Sequence, residues 1–193
     1  MRKIIGNWLE KKKREQEVLS LPFFGFTFVF NKQNALTLDY SELYQHSSKE
    51  MLDLYVRGHY LASAMLGVYS SEVFLKTVLS MQKTEQEMLR LDNSLLSDLI
   101  KELTKYDDCH PLLSDLNHIN DLRNSHLAHC HIEKFRKKAY PLLFVCSPIC
   151  YPASVFFEQV SLDMIKSLSR VTSTFDKLFR QNSVGPANAL FKS

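Results

Sequence analysis

Residues 60–79 constrain the fold more than any other stretch of this chain. From Tyr60 to Leu79, side chains without charge recur nearly all the way round a helical wheel, and such a helix is stable only when other elements enclose it. A buried central helix is therefore expected, with the remaining helices arranged around it. Ser47 and Glu50 have capping-box spacing, which predicts that this helix starts near residue 47 and runs to about Met81. Gly58, Ala62, Ala64 and Gly67 lack bulk and would let a neighbour come close. Glu72 falls inside the apolar stretch, where a carboxylate needs a partner, and Arg123 is the candidate.

Other segments supply the enclosing layers. Thr84 and Glu87 repeat the capping-box spacing and open a helical stretch to about Tyr106, with Met88, Leu91, Leu95, Leu99 and Leu103 on one stripe. A further helix begins near Pro111 and turns Leu112, Leu116, Ile119 and Leu122 inward. The last, from about Val155 to Arg180, places Phe157, Val160, Met164, Leu168, Val171, Phe175 and Leu178 on a seam that can pack within a subunit or across a dimer. Between these two helices, Tyr140 to Pro152 is punctuated by prolines and reads as a connector or short strand pair rather than helix. Near the N-terminus Phe24, Phe26, Phe28 and Phe30 alternate at strand period, and residues 31–34 suit a turn into a second run, Ala35 to Tyr40. The fold class expected is mainly α: a four- to five-helix bundle with a small N-terminal β-hairpin. The hairpin's aromatic face belongs in the core on this reading, with base stacking as the alternative. One domain spans residues 1–193, divided into a basic arm plus hairpin (1–46), the bundle (47–180) and a loose tail (181–193).

Composition narrows the class of protein. The 193 residues are 45% hydrophobic and 23% charged, an ordinary globular balance, and a net charge of +3 does not by itself announce a nucleic-acid binder. No run approaches the roughly 18 apolar residues of a membrane span, and the charged start does not resemble a secretion signal, so no membrane partner and a cytoplasmic location are expected. Cys109, Cys130, Cys146 and Cys150 are too few and too unevenly placed for a disulfide framework. Arg2, Lys3, Lys11, Lys12, Lys13 and Arg14 outweigh Glu10 in the first turns, as in an arm that tracks phosphates or a simple solvated helix face.

Chemistry concentrates between Asp121 and His131. Arg123 is a permanent cation whose planar fork can hold a phosphate, and His129 can exchange a proton near neutral pH. Five residues separate them, Asn124 follows the arginine, and His126, Cys130 and His131 lie close by. No other Arg in the chain is followed by a His after four to six intervening residues. The basic residues Lys134, Arg136, Lys137 and Lys138 follow at once and could draw in a polyanion such as RNA.

Leu122-Arg123-Asn124 and Leu127-Ala128-His129 resemble the Arg-x4-6-His motif of the HEPN superfamily, in the wording of its abortive-infection and toxin-type members. The resemblance implies a metal-independent endoribonuclease of a toxin–antitoxin or phage-defence system. In that mechanism the ribose 2′-hydroxyl attacks the adjacent phosphorus and leaves a cyclic phosphate and a free 5′-hydroxyl. His129 would act as general acid or base, Arg123 would stabilise charge on the phosphoryl oxygens, and Asn124 would orient one of them or the backbone. His126 and Glu72 are possible auxiliaries. Similar proteins build one cleft at a two-fold axis, which implies a homodimer, and some are silenced by an antitoxin of nucleotidyltransferase type.

Helix geometry restricts how the motif can work. Six residues of ideal α-helix rotate the chain by about 600°, leaving Arg123 and His129 about 120° apart. The helix must end or deform before His129, the arginine must sweep across, or a second subunit must contribute. A zinc site is the rival use of His126 and His129, with Cys109, His110, Cys130 or His131. No CxxC or HExxH accompanies them, and no metal or other cofactor is expected. The alternative function is a non-catalytic HEPN-like module that binds nucleotide, RNA or a partner protein. It is favoured if Arg123 is spent in an ion pair with Glu72 or Asp121.

Overall fold

The computed structural model describes residues 2–21, 35–128 and 151–182. They form α1 (Arg2–Leu19), α2 (Ala35–Val56), α3 (Tyr60–Ser80), α4 (Glu85–Leu91), α5 (Leu96–Leu103), α6 (His110–Leu122) and α7 (Tyr151–Asn182). A 3-10 turn, Asp107–Cys109, leads into α6, and a π-turn, Arg123–Ala128, follows it. The protein is a mainly helical bundle with α3 at its centre, packed by α2 on one side, α7 on another, and α5 and α6 beyond.

The expectation of an α3 enclosed on every side holds only for its second half: Leu61, Met65 and Tyr69 leave an exposed apolar stripe along the first half, because no described helix packs on that side. Val73, Phe74, Leu75, Val78 and Leu79 are buried, and so are Ser63, Ser70, Ser71, Thr77 and Ser80. Buried hydroxyls are tolerated where each finds a partner. Ser63 donates to the Met51 carbonyl of α2 at 2.8 Å and accepts from Ser161 of α7 at 2.8 Å. Ser70 donates to Ser47 at 2.9 Å, and Ser80 to Thr37 at 2.9 Å, so the same small side chains that permit close packing also fix the register of α2 on α3.

The long helix expected from Ser47 to Met81 is two helices. Gly58 has φ +85°, a conformation that costs glycine little and other residues much. Around it, the His59 N–H donates to the Leu54 carbonyl at 2.8 Å and the Gly58 N–H to the Tyr55 carbonyl at 2.9 Å, the paired bonds of a Schellman stop. Ser47 caps nothing: it sits buried inside α2 and donates to the Tyr44 carbonyl at 3.2 Å. Ala64 and Gly67 do serve close approach. A Cβ built on Gly67 would collide with Met164 of α7 and stand 3.2 Å from Met51 Sδ. Gly67→Ala is therefore expected to cost about 1–3 kcal/mol in denaturant unfolding. Adding Met164→Ala should make the pair less damaging than the two single effects together, because the obstructing side chain is gone.

The β-hairpin is corrected in its second half. Ala35 to Tyr40 forms the first turns of α2, and no strand occurs among the described residues. A short run such as Leu36-Thr37-Leu38-Asp39-Tyr40 satisfies strand alternation, but burial at Thr37, Tyr40, Ser41, Tyr44, Ser47, Ser48, Met51 and Tyr55 continues at helical spacing for five turns, and Leu38 is exposed. Residues 35–46 thus belong to the bundle, with no boundary at 47. The phenylalanine run Phe23–Phe30 and the turn at 31–34 lie outside the described residues, as does the tail 183–193.

The capping box at Thr84 and Glu87 is present. Thr84 N–H donates to Glu87 Oε2 at 2.8 Å, its hydroxyl donates to the same oxygen at 2.8 Å, and that hydroxyl accepts from the Glu87 N–H at 3.4 Å. The backbone N–H and then the hydroxyl of Thr84 hold the Glu87 carboxyl below its ordinary range. Such a depressed carboxylate stabilises the fold above the ordinary pKa and loses that contribution as pH falls through the folded value. Thr84→Ala removes the hydroxyl but keeps the N–H. It is expected to move the Glu87 midpoint, followed by NMR titration, only part of the way up to the ordinary value.

The helix opened by that box stops sooner than its stripe suggests. Asp92, Asn93 and Ser94 interrupt it, side chains that compete with a helical backbone for hydrogen bonds. The break frees Asp92 to accept from Tyr40 at 3.0 Å and to pair with Lys76 at 3.3 Å, tying α2 and α3 together, while Leu95 is left exposed. Further on, Lys83 and Lys105 each reach Glu102 at 2.7 Å. Leu112, Leu116, Ile119 and Leu122 of α6 face inward as expected, and Arg170 of α7 clasps Asp115 at 2.7 and 2.9 Å. The α7 seam packs within the subunit: Val160, Met164, Leu168, Val171 and Phe175 are buried, with Phe157 and Leu178 half-buried at its ends. The last helix begins at Tyr151 and not near Val155, so the non-helical reading is corrected for Tyr151 and Pro152. Pro152 stands in the first turn of α7, where its missing N–H costs nothing, while 140–150 lie outside the described residues.

Candidate functional site

The polar motif begins where α6 ends. Leu112 to Leu122 bind α6 into the core, and the Arg123 N–H still donates to Asn120 and Ile119 carbonyls. From Arg123 to Ala128 the chain then widens into a π-turn. π-Turns cost hydrogen-bond geometry and recur at functional sites in proteins. Here the widening is held by packing: Leu127 joins the cluster of Ala64, Phe156 and Val160, which links the turn to α3 and α7. A deformation before His129, one of the three ways the motif could work, thus begins at Arg123. His129, the other half of the pair, lies outside the described residues, as do Cys130, His131 and the basic residues Lys134, Arg136, Lys137 and Lys138.

Arg123 is half-buried. Its Nη1 donates to Asn124 Oδ1 at 3.2 Å, so the two neighbouring motif residues orient one another. Among the described residues, neither Glu72 nor Asp121 forms an ion pair with Arg123; Glu72 is half-buried on α3 and Asp121 is exposed. The expected Glu72–Arg123 pairing is therefore corrected: one partner sits on the central helix and the other on the π-turn, with no contact between their charges. Glu72 keeps access to water and does not need a counter-ion there.

His126 is brought to a different task from the one its spacing suggested. In an α-helix it would lie one turn from Arg123, but a π-turn closes on the fifth residue, so three residues fall short of a turn. Its ring packs edge to face on Phe156, with centroids 5.1 Å apart and planes at 87°. His126 thereby helps anchor the turn to α7. One polar atom carries no clear sequence signal of its state: Asn120 Oδ1 is buried and has no hydrogen-bond partner among the described residues. It lies one helical turn before Arg123 and Asn124, and a buried acceptor of this kind favours any donor that reaches it. Its sole sequence signal is an amide between Ile119 and Leu122 on an inward-facing helix.

The zinc alternative finds no assembled ligand set among the described residues, where no three His, Cys, Asp or Glu side chains converge. Cys109 lies in the main core, its thiol pushed up to about 12 by burial and by the charge of Asp108. His110 is exposed, 3.8 Å from Asp107. No helix among the described residues is long and apolar enough to cross a membrane.

Fold and site together define a mainly helical bundle carrying an Arg–Asn pair on a π-turn anchored to its central and C-terminal helices. No known family, curated protein or solved structure matches the chain.

Proposed function

We propose that this chain is a metal-independent endoribonuclease of HEPN type that acts as a homodimer in the cytoplasm. The observation that carries the reading is the state of Arg123. At the head of the π-turn its guanidinium is committed to no carboxylate among the described residues, and its contact with Asn124 leaves donors for a phosphate. A structural arginine at this depth would be expected to sit against Glu72 or Asp121.

On this reading the 2′-hydroxyl of the RNA attacks phosphorus and its proton passes to a base. The 5′-oxygen of the next nucleotide leaves with a proton from an acid, and a 2′,3′-cyclic phosphate remains. His129 serves in proton transfer, Arg123 neutralises charge on the non-bridging oxygens, and Asn124 fixes the arginine and one phosphoryl oxygen. Lys134, Arg136, Lys137 and Lys138 hold the flanking RNA. The biological setting proposed is the toxic half of a toxin–antitoxin or phage-defence pair, with a nucleotidyltransferase-type partner as antitoxin.

A second reading, the non-catalytic binding module, is favoured by the packing of His126 on Phe156, which makes that imidazole part of the scaffold. Incubating wild type and His129→Ala with mixed cellular RNA in chelator separates the two. Cleavage by the wild type alone, with cyclic-phosphate ends, is the expected result. Intact RNA with both proteins, after any co-purified partner is stripped away, would leave the binding module in its place.

A further inference from the structure

Helix α1 is docked by one face and bare on the other. Arg14 donates from Nε to the Val56 carbonyl at 3.1 Å and from Nη1 to the Tyr60 hydroxyl at 3.0 Å, with its guanidinium 5.8 Å from the Tyr60 ring. The Tyr55 hydroxyl donates to Glu17 at 2.9 Å, Lys166 approaches Glu17 at 3.8 Å, and Val18 packs on the main core. These contacts fall on one side of the helix. At about 100° per residue, Trp8, Leu9, Lys12 and Leu19 fall on the other side.

That outer face combines two properties that are seldom left together in water. Trp8, Leu9 and Leu19 are 57%, 56% and 83% exposed. Lys11, Lys12 and Lys13 are exposed beside them, and Glu15 answers part of that charge at 2.9 Å from Lys12. A second copy of the chain is a poor cover, since pairing like faces would bring lysines against lysines. RNA would take up the charge and could stack on Trp8, but it offers nothing to Leu9 and Leu19. A surface that is anionic outside and apolar beneath satisfies both, with the helix lying in its plane. Against the expectation of no membrane partner, we propose that the outer face of α1 is a peripheral docking surface for anionic lipid bilayers, independent of the RNA-cleaving reading of the π-turn. It is reached from the cytoplasm, with no membrane-spanning helix among the described residues.

Trp8 is the chain's sole tryptophan, so emission excited beyond the absorption of its tyrosines reports on this face alone. In the full-length protein, vesicles of phosphatidylcholine with a minority of phosphatidylglycerol are expected to shift Trp8 emission to the blue, and brominated lipid is expected to quench it. Pure phosphatidylcholine should do neither. Replacing Lys11 and Lys13 by Gln should weaken partitioning roughly fivefold for each lysine removed. Leu9→Ser with Leu19→Ser, both on the solvent side, should abolish it without altering the far-ultraviolet dichroism. Three results would overturn the proposal: emission unchanged by anionic vesicles, emission already blue in the free protein because the chain covers this face itself, or a response to RNA without one to vesicles.

Discussion

Arg123→Ala is expected to slow RNA cleavage by about a hundredfold or more, the usual loss when a preorganised donor to a developing oxyanion is removed. The protein should remain folded. Arg123 is half-buried, its side-chain contact is with the adjacent Asn124, and no carboxylate among the described residues would be left unpaired by its removal. The stability loss should stay near 1 kcal/mol, the ordinary worth of one hydrogen bond. Arg123→Lys sharpens the test. It keeps the positive charge but loses the planar fork, so it should recover part of the rate and not all of it. Activity that falls in step with thermal stability would mean that Arg123 holds the π-turn together and does nothing for a substrate. An alanine variant that cuts at the wild-type rate would remove Arg123 from the chemistry altogether.

Phe74→Ala should give the largest loss of stability, about 3–5 kcal/mol. Phe74 is fully buried on α3, its ring 5.7 Å from Tyr44 of α2 and 5.6 Å from Phe175 of α7, the latter edge to face at 89°. Truncation therefore opens a cavity at the junction of three helices and deletes two aromatic contacts at once. Denaturant unfolding should show a lower midpoint with an unchanged slope. Phe74→Leu keeps most of the volume and should cost less than about 1.5 kcal/mol. A loss under about 1 kcal/mol for the alanine variant would contradict the central position assigned to α3.

Legibility in the sequence followed the range of the interaction involved. The burial of the second half of α3, the inward leucines of α6, the α7 seam and the Thr84 cap all depend on residues within one or two turns of each other, and all were readable, whereas the exposure of Leu61, Met65 and Tyr69 on α3 was not. Capping spacing without context misled once: Ser47 and Glu50 match the box, yet Ser47 is occupied by Tyr44 and Ser70 inside a continuous helix. Of the candidate site, Arg123 and Asn124 are neighbours as their adjacency requires, whereas the roles of Glu72 and His126 were not legible. Whether Glu72 meets Arg123, or His126 meets Phe156, depends on how far the turn after α6 widens.

The sequence by itself determined that this chain folds as helices around an α3 whose second half is buried, because side chains that recur at helical spacing can leave water only in that way. It also determined where α4 begins, through a cap whose partners are three residues apart. Tertiary structure alone decided the rest. Ala35 to Tyr40 became helix because its burial continues through Tyr55, which no six-residue run can reveal. The break at Gly58 was set by a Schellman stop that lets α3 return along α2. The π-turn at Arg123 exists because Leu127 and His126 find Ala64 and Phe156 on helices distant in sequence, and that packing offsets the poorer backbone geometry. The bare face of α1 has the same origin: Arg14, Glu17 and Val18 chose which side meets the bundle, and so left Trp8, Leu9 and Leu19 to the solvent.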